Sequence, residues 1–313
     1  MVLHPRQVFE QASQRYRRRT EPQPQQGFGE PEGQGSLGDA VRAYGAKVRG
    51  GEVGSLPAIG GLVVLCLVFA ALRQETFTNA FNFANLINQS AGVIVIAMGL
   101  VFVLLLGEID LSAGFTGGTV AAVMGIYMTN HGWNWVLALV VALLTGTIVG
   151  VCIGALVAYL GIPSFVVTLA AFLGLQGLLL VLIGEGGTIA YRNETVLKLN
   201  NNNLSTTVGW ALAIITVVVY AALTYRRSVA RRANGLSGDP LSVWAVKTGA
   251  LAVVVLAATY YLNRVRGPNP AADIHGVPIV VAIVAVLLIV LTFVLNRTSW
   301  GRHVYAVGGN AEA

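Results

Sequence analysis

Two apolar runs with a short polar break between them fill residues 91–129, which read AGVIVIAMGLVFVLLLGEIDLSAGFTGGTVAAVMGIYMT. A helix crosses the hydrocarbon of a bilayer in about 20 residues, so each run is close to the length of one membrane span. The eleven Val, Ile, Leu and Phe residues of 91–107 favour insertion by about 3–7 kcal/mol, whereas two carboxylates at the bilayer centre would cost about 5–7 kcal/mol. Glu108 and Asp110 therefore have to lie at a membrane boundary or pack inside the protein against hydrogen-bond donors.

The polar break itself, residues 107–112, has two interpretations. In the first, it ends one helix, and Asp110 or Ser112 caps the next helix through a side-chain oxygen. In the second, Glu108, Asp110 and Ser112 belong to a transport path or its gate, because ionisable residues within membrane proteins commonly serve transport. The sequence leaves both interpretations open.

The composition of the whole chain is typical of a membrane protein. Of 313 residues, 55% are hydrophobic and 11% are charged, and the mean hydropathy is +0.69, whereas soluble domains average about 25% charged residues. These values exclude an ordinary cytosolic enzyme, a disordered protein and a nucleic-acid-binding domain. We predict an all-α, polytopic membrane helix bundle, with a transmembrane domain at 54–295 that contains about eight spans. The eight apolar stretches are residues 54–72, 91–107, 113–129, 135–159, 165–183, 207–225, 243–262 and 277–295.

Polar segments flank the predicted transmembrane domain. Residues 1–53 carry a run of arginines and a stretch rich in Gln, Gly, Pro and Glu, with too few apolar side chains to offset the entropy of ordering. We predict a disordered, basic cytoplasmic tail; the alternative is that residues 8–19 form a basic helix on anionic lipid. Residues 296–313 form a second polar segment, predicted to be cytoplasmic.

The distribution of Lys and Arg predicts the orientation of the chain. With eight alternating spans and a cytoplasmic N-terminus, fourteen of the twenty Lys and Arg residues lie in cytoplasmic segments and five lie in outside segments. Cytoplasmic loops carry the excess of basic residues in membrane proteins. Both termini are therefore predicted to be cytoplasmic. The strongest evidence is a cluster that directly follows a span, made of Arg226, Arg227, Arg231 and Arg232.

Signatures of catalysis and of energy coupling are missing from the sequence. No Asp, Glu, Lys or Arg lies inside a predicted span between residues 113 and 225, although proton relays and ion-coupled pumps need such residues. There is no Gly-Lys dipeptide of a phosphate-binding loop, no Gly-x-Ser-x-Gly and no His-Glu-x-x-His. Cys66 and Cys152 lie in apolar runs, which indicates neither a disulfide nor a metal site. We expect no catalytic residue, cofactor or metal in this chain.

A stripe of small residues follows one face of the predicted span at 135–159. Its members recur every four residues, a spacing that places them above one another on a helix. Because helices associate in lipid through close backbone approach, the stripe favours a packing role for Gly146, Gly150 and Gly154. The alternative is that the stripe lines a translocation path. The stripe consists of Ala138, Ala142, Gly146, Gly150, Gly154 and Ala158.

Three ordered motifs resemble a known family. They are NLINQ at 85–89 followed by GEIDLS at 107–112, GIPSFVVTL at 161–169 continuing to GLQG at 174–177, and TSWGRHVYAVGGNAEA at 298–313. Together they resemble the permease subunits of bacterial ABC importers for monosaccharides, in the ribose, xylose, arabinose and galactose branch. Glu108 and the additional apolar stretch at 243–262 look most like the xylose-type members. Family members continue through further spans, so the chain looks truncated at its C-terminus relative to them.

The resemblance implies a transport subunit rather than an enzyme. Such a permease moves a monosaccharide, here xylose or a related pentose, across the cytoplasmic membrane of a bacterium by alternating access, while a separate ABC ATPase subunit binds ATP. Its other partners would be an extracytoplasmic sugar-binding protein, a second permease chain in a homodimer, and membrane lipid, but not nucleic acid. Two other interpretations are a channel or facilitator that needs no ATPase, and a truncated permease without function.

The last motif looks like the family's cytoplasmic coupling loop, here incomplete, whose short helix docks on the ATPase. The alternative is an ordinary helix exit in which Arg297 and Arg302 bind lipid phosphates. The resemblance assigns the ATPase contact to Gly301, Arg302, Gly308, Gly309, Asn310 and Glu312.

Three shorter segments carry weaker signals. The loops at 184–206 and 263–276 are predicted to lie outside, either as a docking surface for a sugar-binding protein or as solvated connections. Asn269-Pro270-Ala271 spells the signature of water and glycerol channels, but a single copy in a polar loop is predicted to be a Pro-rich turn. Residues 76–86 are predicted to form a short amphipathic helix at the membrane interface.

Overall fold

The structure is a computed structural model, and it describes residues 53–184, 187–236, 238, 240–266 and 273–309, with scattered positions between 38 and 51. From Leu56 onwards the described chain forms helices joined by short turns and loops, with one isolated bridge between Asn203 and Pro278. The helices are α1 Leu56–Leu72, α2 Gln74–Phe77, α3 Ala80–Leu105, α4 Ala113–Thr129, α5 Trp135–Leu160, α6 Ser164–Ile183, α7 Glu194–Asn201, α8 Thr206–Ala233, α9 Leu241–Leu262, α10 Ile279–Arg297 and α11 Ser299–Gly309.

The predicted all-α, polytopic membrane architecture is confirmed, whereas the count of eight spans is not. Each of the eight apolar stretches is helical. Among the described residues, six helices are both long and apolar enough to cross a membrane: α3, α5, α6, α8, α9 and α10. The other two, α1 and α4, have 17 residues each, at the lower end of the range of lengths that can cross a membrane. That α1 and α4 also cross the membrane stays a prediction.

The segment before the second apolar stretch differs from its prediction. A separate amphipathic helix at 76–86 was expected, but α2 is only four residues long and α3 runs without interruption from Ala80 to Leu105. Asn79 sets this start, because its extended backbone lets its side-chain oxygen accept a hydrogen bond of 2.9 Å from the Phe81 N–H. The polar residues at 85–89 therefore form the early turns of a long helix.

The described residues belong to two compact units. Unit 1 consists of the described residues within Met1–Val63 and Ala213–Leu256, and unit 2 of those within Val64–Leu212 and Ala257–Ala313. In unit 1, the indole Nε1 of Trp244 donates to the Thr224 hydroxyl at 3.0 Å, and its ring packs edge-on against Tyr225. The motifs that carry the family resemblance lie in unit 2.

Helix α4 is the centre of unit 2, where it packs most extensively against α5 and α6. Phe115 of α4 meets Phe172 of α6 edge to face, with ring centroids 4.6 Å apart. Small or short side chains, including Thr119 and Ala122, are buried on α4, while large apolar side chains such as Leu180 and Val181 of α6 are exposed. This inverted pattern, small inside and large outside, is typical of helices that pack closely in lipid.

Candidate functional site

The polar break of residues 107–112 joins α3 to α4 in unit 2. Gly107 turns the chain with a left-handed backbone (φ +82°) that other residues rarely adopt. Asp110 Oδ1 accepts two hydrogen bonds from Ser112, at 2.7 Å from the backbone N–H and 2.6 Å from the hydroxyl. Asp110 thus closes the turn in front of α4. Of the two predicted alternatives, Asp110 or Ser112 as the cap, the Ser112 side chain makes no capping bond to the helix that it precedes. Glu108 is half-buried beside this turn.

The first turn of α6 holds the break through Ile109. The Ile109 N–H donates to Ser164 Oγ at 3.2 Å, and Thr168 Oγ1 donates to the Ile109 carbonyl at 3.1 Å. Thr168 is 2% exposed, and its hydroxyl also donates to the Ser164 carbonyl at 2.8 Å. We call these two bonds to Ile109 the Ile109 clamp. Sequence reasoning noticed the motif at 161–169 but gave Ser164 and Thr168 no role.

A cavity of about 250 Å³ opens beside the break, between α3, α4 and α5. Its walls are mostly apolar, with Val103 and Leu100 on α3, and its polar lining includes Asp110 and Thr116. Gly150 also lines it. Asp110 therefore lines a mostly apolar cavity that is open to the outside of the bundle, and its carboxylate is hydrogen-bonded to Ser112, since an ionisable group beside apolar walls is costly without such bonds.

The stripe of small residues on α5 divides into two halves. Ala138 and Ala142 are buried, and a Cβ added at Gly146 would lie 3.1 Å from Val120 Cγ2 on α4. At Gly150 and Gly154, no described residue lies within 4 Å of an added Cβ. Packing within the chain thus accounts for one half of the stripe, while a packing role for Gly150 and Gly154 stays a prediction that requires a second chain.

Helix α11 folds back from the end of α10 against the end of α3. Trp300 packs on Phe102 with ring centroids 5.4 Å apart, and Val304 is buried. A Cβ at Gly301 would overlap the Leu295 carbonyl oxygen, and a Cβ at Gly308 would overlap that of Leu105. Glycine at these two positions is therefore needed for close backbone approach.

The remaining predicted contact residues of this segment are distributed unevenly. Arg302 is exposed on α11, and Gly309 is the last residue of that helix. Asn310 and Glu312 lie outside the described residues. The structure therefore describes the positions of Gly301, Arg302 and Gly308. Their contact with an ATPase stays a prediction. We call the polar break, the first turn of α6 and α11 together the break end of unit 2.

A buried arginine joins the loop between α7 and α8 to the loop between α9 and α10. Arg266 is 6% exposed, and its Nη2 donates to Asn203 Oδ1 at 2.7 Å and to the Gly276 carbonyl at 2.8 Å. Its Nη1 donates to the Leu262 carbonyl at the end of α9. Burial lowers the pKa of the Arg266 guanidinium, since desolvation penalises the charged form.

Backbone hydrogen bonds reinforce the same junction. The Leu204 N–H donates to the Val277 carbonyl at 2.8 Å, and the Ile279 N–H donates to the Asn202 carbonyl at 3.0 Å. The loops predicted at 184–206 and 263–276 are therefore joined to each other rather than being independent connections. We call Asn193 to Leu204, Arg266 and residues 273–279 the loop end. Sequence reasoning counted Arg266 only as an outside charge, and the motif Asn269-Pro270-Ala271 lies outside the described residues.

The segment before α7 lies along α4. The Tyr191 hydroxyl donates to the Ala121 carbonyl, and Thr129 Oγ1 donates to the Ala190 carbonyl at 2.8 Å. A Cβ added at Gly125 would come within 2.8 Å of Ile189 Cγ2, so glycine makes room for this segment. Burial raises the pKa of the Tyr191 phenol, which keeps it neutral and able to donate.

Metal-binding chemistry is not visible in the part of the chain that the structure describes, where no three His, Cys, Asp or Glu side chains come together. The expectation that the chain needs no cofactor stays a prediction.

Comparison with known proteins places the chain in a family. A family model described as "Branched-chain amino acid transport system / permease component" matches residues 82–313. The chain belongs to this permease family. The resemblance drawn from the sequence motifs is thereby confirmed, and together with the apolar helices it makes the chain a multi-pass protein of the inner, or cytoplasmic, membrane.

Several curated proteins are similar to this permease. The xylose transport system permease protein XylH of Escherichia coli K12 is 33% identical over 256 residues, which cover 82% of this chain and 62% of that protein. XylH of Haemophilus influenzae is 32% identical over 80% of this chain and 64% of its own length. The autoinducer 2 import system permease protein LsrC of Photorhabdus luminescens is 27% identical over 69% of this chain and 66% of its own length. The chain thus spans just under two thirds of these relatives, and no solved structure matches it.

Proposed function

We propose that this permease is the transmembrane subunit of an ATP-binding-cassette importer that translocates a monosaccharide, xylose or a related pentose, by alternating access. Relatives named for xylose transport are similar over 82% of the chain. Other similar permeases are named for autoinducer 2 and fructose import, so the pentose is the finer part of the proposal. The observation that carries the proposal is α11, a short helix packed under the membrane-spanning helix α3 with an exposed outer face.

The outer face of α11 supports contact with a separate ATPase subunit. While Gly301 and Val304 face the bundle, Arg302, Tyr305 and Val307 are exposed. A helix that presents a cation and apolar side chains together suits a protein partner better than water alone. In this proposal ATP binding and hydrolysis belong to the partner subunit, and the permease contributes no catalytic residue.

ATP-driven sugar uptake by the full-length permease tests this function. Proteoliposomes would contain the permease, the ATPase and the sugar-binding protein, and accumulation of labelled xylose would be measured with ATP inside. Uptake that stops when the ATPase is omitted supports the importer. Uptake that continues without it would replace the importer with a facilitator. With the charge reversal Glu312→Lys, the complex is expected to hydrolyse ATP but to take up little sugar. Unchanged uptake would show that Glu312 is not part of the coupling contact.

The proposed orientation places the break end and both termini in the cytoplasm, and the loop end outside, where a sugar-binding protein would dock. Cys66 and Cys152 are exposed and would first be replaced by serine. Single cysteines at His303 on α11 and Lys198 on α7 would then be treated with a membrane-impermeant maleimide in intact cells. We expect labelling at position 198 only. Labelling at position 303 alone would reverse the orientation and exclude a cytoplasmic ATPase contact at α11.

A further inference from the structure

Within unit 2, the polar break lies between a contact with α11 on one side and hydrogen bonds to α6 on the other. On one side, α11 touches the last turn of α3, where the Gly308 backbone meets the Leu105 carbonyl. On the other side, four residues further along the chain, Ile109 is bonded through both its N–H and its carbonyl to the first turn of α6. A displacement of α11 that moves the end of α3 and is carried through the turn at 106–108 to Ile109 must then either move α6 as well or break the Ile109 clamp.

We infer that Thr168 is a positioning residue that passes the movement of α11 into α6 by holding Ile109, and thereby sets the position of Asp110 at the cavity. This inference rests on the proposed function, since it needs an ATPase to move α11. Asp110 directly follows Ile109 and lines the cavity between α3, α4 and α5. When Ile109 shifts, the carboxylate of Asp110 shifts with it, and so does this wall of the cavity.

The geometry of Thr168 suits a bond that changes during a transport cycle. A hydroxyl has one proton, and Thr168 shares it between the Ile109 carbonyl at 3.1 Å and the Ser164 carbonyl at 2.8 Å. If Ile109 moves away, the proton remains bonded to Ser164 within the same helix. No buried donor is then left without an acceptor, which is the usual cost of breaking a buried hydrogen bond.

The same geometry separates positioning from ordinary packing. Outside α6, the Thr168 hydroxyl donates to the carbonyl of Ile109, which is itself an exposed residue. Valine has nearly the same shape and would fill the same space, so the fold should tolerate it. What valine removes is the bond from α6 to the Ile109 carbonyl, while the bond from the Ile109 N–H to Ser164 remains. A loss of coupling without a loss of fold would identify the bond made by Thr168.

The test compares Thr168→Val with the unaltered full-length permease in proteoliposomes that contain the ATPase and sugar-binding protein. The measured quantity is the number of xylose molecules accumulated per ATP hydrolysed. We expect this ratio to fall about fivefold, the factor that corresponds to one net hydrogen bond, while the variant still folds and its thermal midpoint falls by no more than about 2–4 °C, the shift expected for the same lost bond. Thr168→Ser keeps the hydroxyl and should restore the ratio.

Thr145→Val is the matched control. Thr145 on α5 also bonds a carbonyl one turn earlier, that of Val141 at 2.9 Å, but within its own helix. A wild-type ratio in Thr145→Val together with a reduced ratio in Thr168→Val supports the inference. An equal fall in both variants, or a wild-type ratio in Thr168→Val, overturns it.

Two further outcomes keep the inference apart from the proposed function. If Thr168→Val does not fold, Ser164→Ala removes the other bond of the clamp from a half-buried position, and a wild-type ratio there overturns the inference. If the unaltered complex shows no ATP-driven uptake, the proposed function itself is wrong, and the inference fails with it. Normal uptake by the unaltered complex with normal coupling in both clamp variants removes only the inference.

Discussion

At the break end of unit 2, α11 meets α3 through glycine backbone and a pair of aromatic rings, and Ile109 is held by hydroxyl groups. At the loop end, a buried guanidinium binds Asn203 and two backbone carbonyls and joins segments 63 residues apart in the chain. Both ends bring distant segments together. The break end does so with neutral groups and with glycines, which have no side chain, and the loop end does so with a charged guanidinium.

This difference has a mechanical meaning. Hydrogen bonds from a charged donor are stronger than those between neutral groups, and removing such a buried donor leaves acceptors without partners. Contacts made by glycine backbone and by a shared hydroxyl can slide or exchange at small cost. The loop end is therefore built to stay assembled, and the break end is built so that its contacts can change. The following variants are ordered by the size of the effect that this comparison predicts.

Arg266→Met should have the largest effect on stability. It removes every hydrogen bond from the guanidinium and leaves the half-buried Asn203 side chain and the buried Gly276 carbonyl without this donor, so we expect the free energy of unfolding to fall by about 2–4 kcal/mol. Titration with SDS in detergent micelles measures this change. Arg264→Met, an exposed arginine of the same loop, is the control and should change stability by less than about 0.5 kcal/mol. Equal losses of unfolding free energy in the two variants would show that the hydrogen bonds of Arg266 do not hold the loop end together.

Gly308→Ala should destabilise the break end by about 1–3 kcal/mol, because the new methyl group overlaps the Leu105 carbonyl and α11 must move away from α3. Hydrogen exchange in residues 299–309 should rise while exchange at the loop end stays unchanged. Gly92→Ala is the control, since no described residue lies within 4 Å of its added Cβ. It should stabilise α3 by up to about 1 kcal/mol through helix propensity. Unaltered exchange in α11 of Gly308→Ala would contradict the close contact.

Asn193→Ala should weaken the start of α7 by about 1 kcal/mol. The Asn193 side chain accepts from the N–H groups of Thr195 and Val196 at 3.0 and 3.2 Å. Faster hydrogen exchange confined to Glu194–Asn201 is the expected result. Asn200→Ala, whose amide bonds only the neighbouring Asn201 side chain among the contacts found, should leave that exchange nearly unchanged, and matching behaviour of the two variants would argue against capping.

Lys198→Gln should have the smallest effect. Its ammonium lies 2.5 Å from the Glu194 carboxylate one turn earlier, but both side chains are largely exposed. Solvent screening limits such a pair to about 0.3–0.5 kcal/mol, and the difference from wild type should vanish in 1 M NaCl. A loss as large as that of Arg266→Met would show that exposed pairs, and not the buried arginine, hold the loop end together.

The sequence predicted the elements of this fold better than the contacts between them. Hydropathy located every helix that could cross a membrane, because apolar length is a local property. The cost of burying Glu108 and Asp110 located the polar break. The start of α3 was misplaced, since residues 76–86 were predicted to form a separate interfacial helix, whereas Asn79 begins the long helix α3.

The contacts that define the candidate site depend on pairs far apart in the chain. Thr168 and Ile109 are 59 residues apart, and nothing in either local pattern indicates that one holds the other. The stripe on α5 predicted close packing along its whole length, but α4 covers only its first half, because the cavity opens beside Gly150. Sequence periodicity shows which residues share a face of a helix, and only the fold determines what that face meets.

The ring contact between Phe102 and Trp300 gives the protein an intrinsic optical reporter. The chain has five tryptophans, and replacing the other four by phenylalanine would leave one indole whose emission depends on its neighbour on α3. Separation of the rings would expose the part of the half-exposed indole that Phe102 covers and shift its fluorescence to longer wavelength. The timing of each departure and return of α11 could then be followed in real time, without an attached dye.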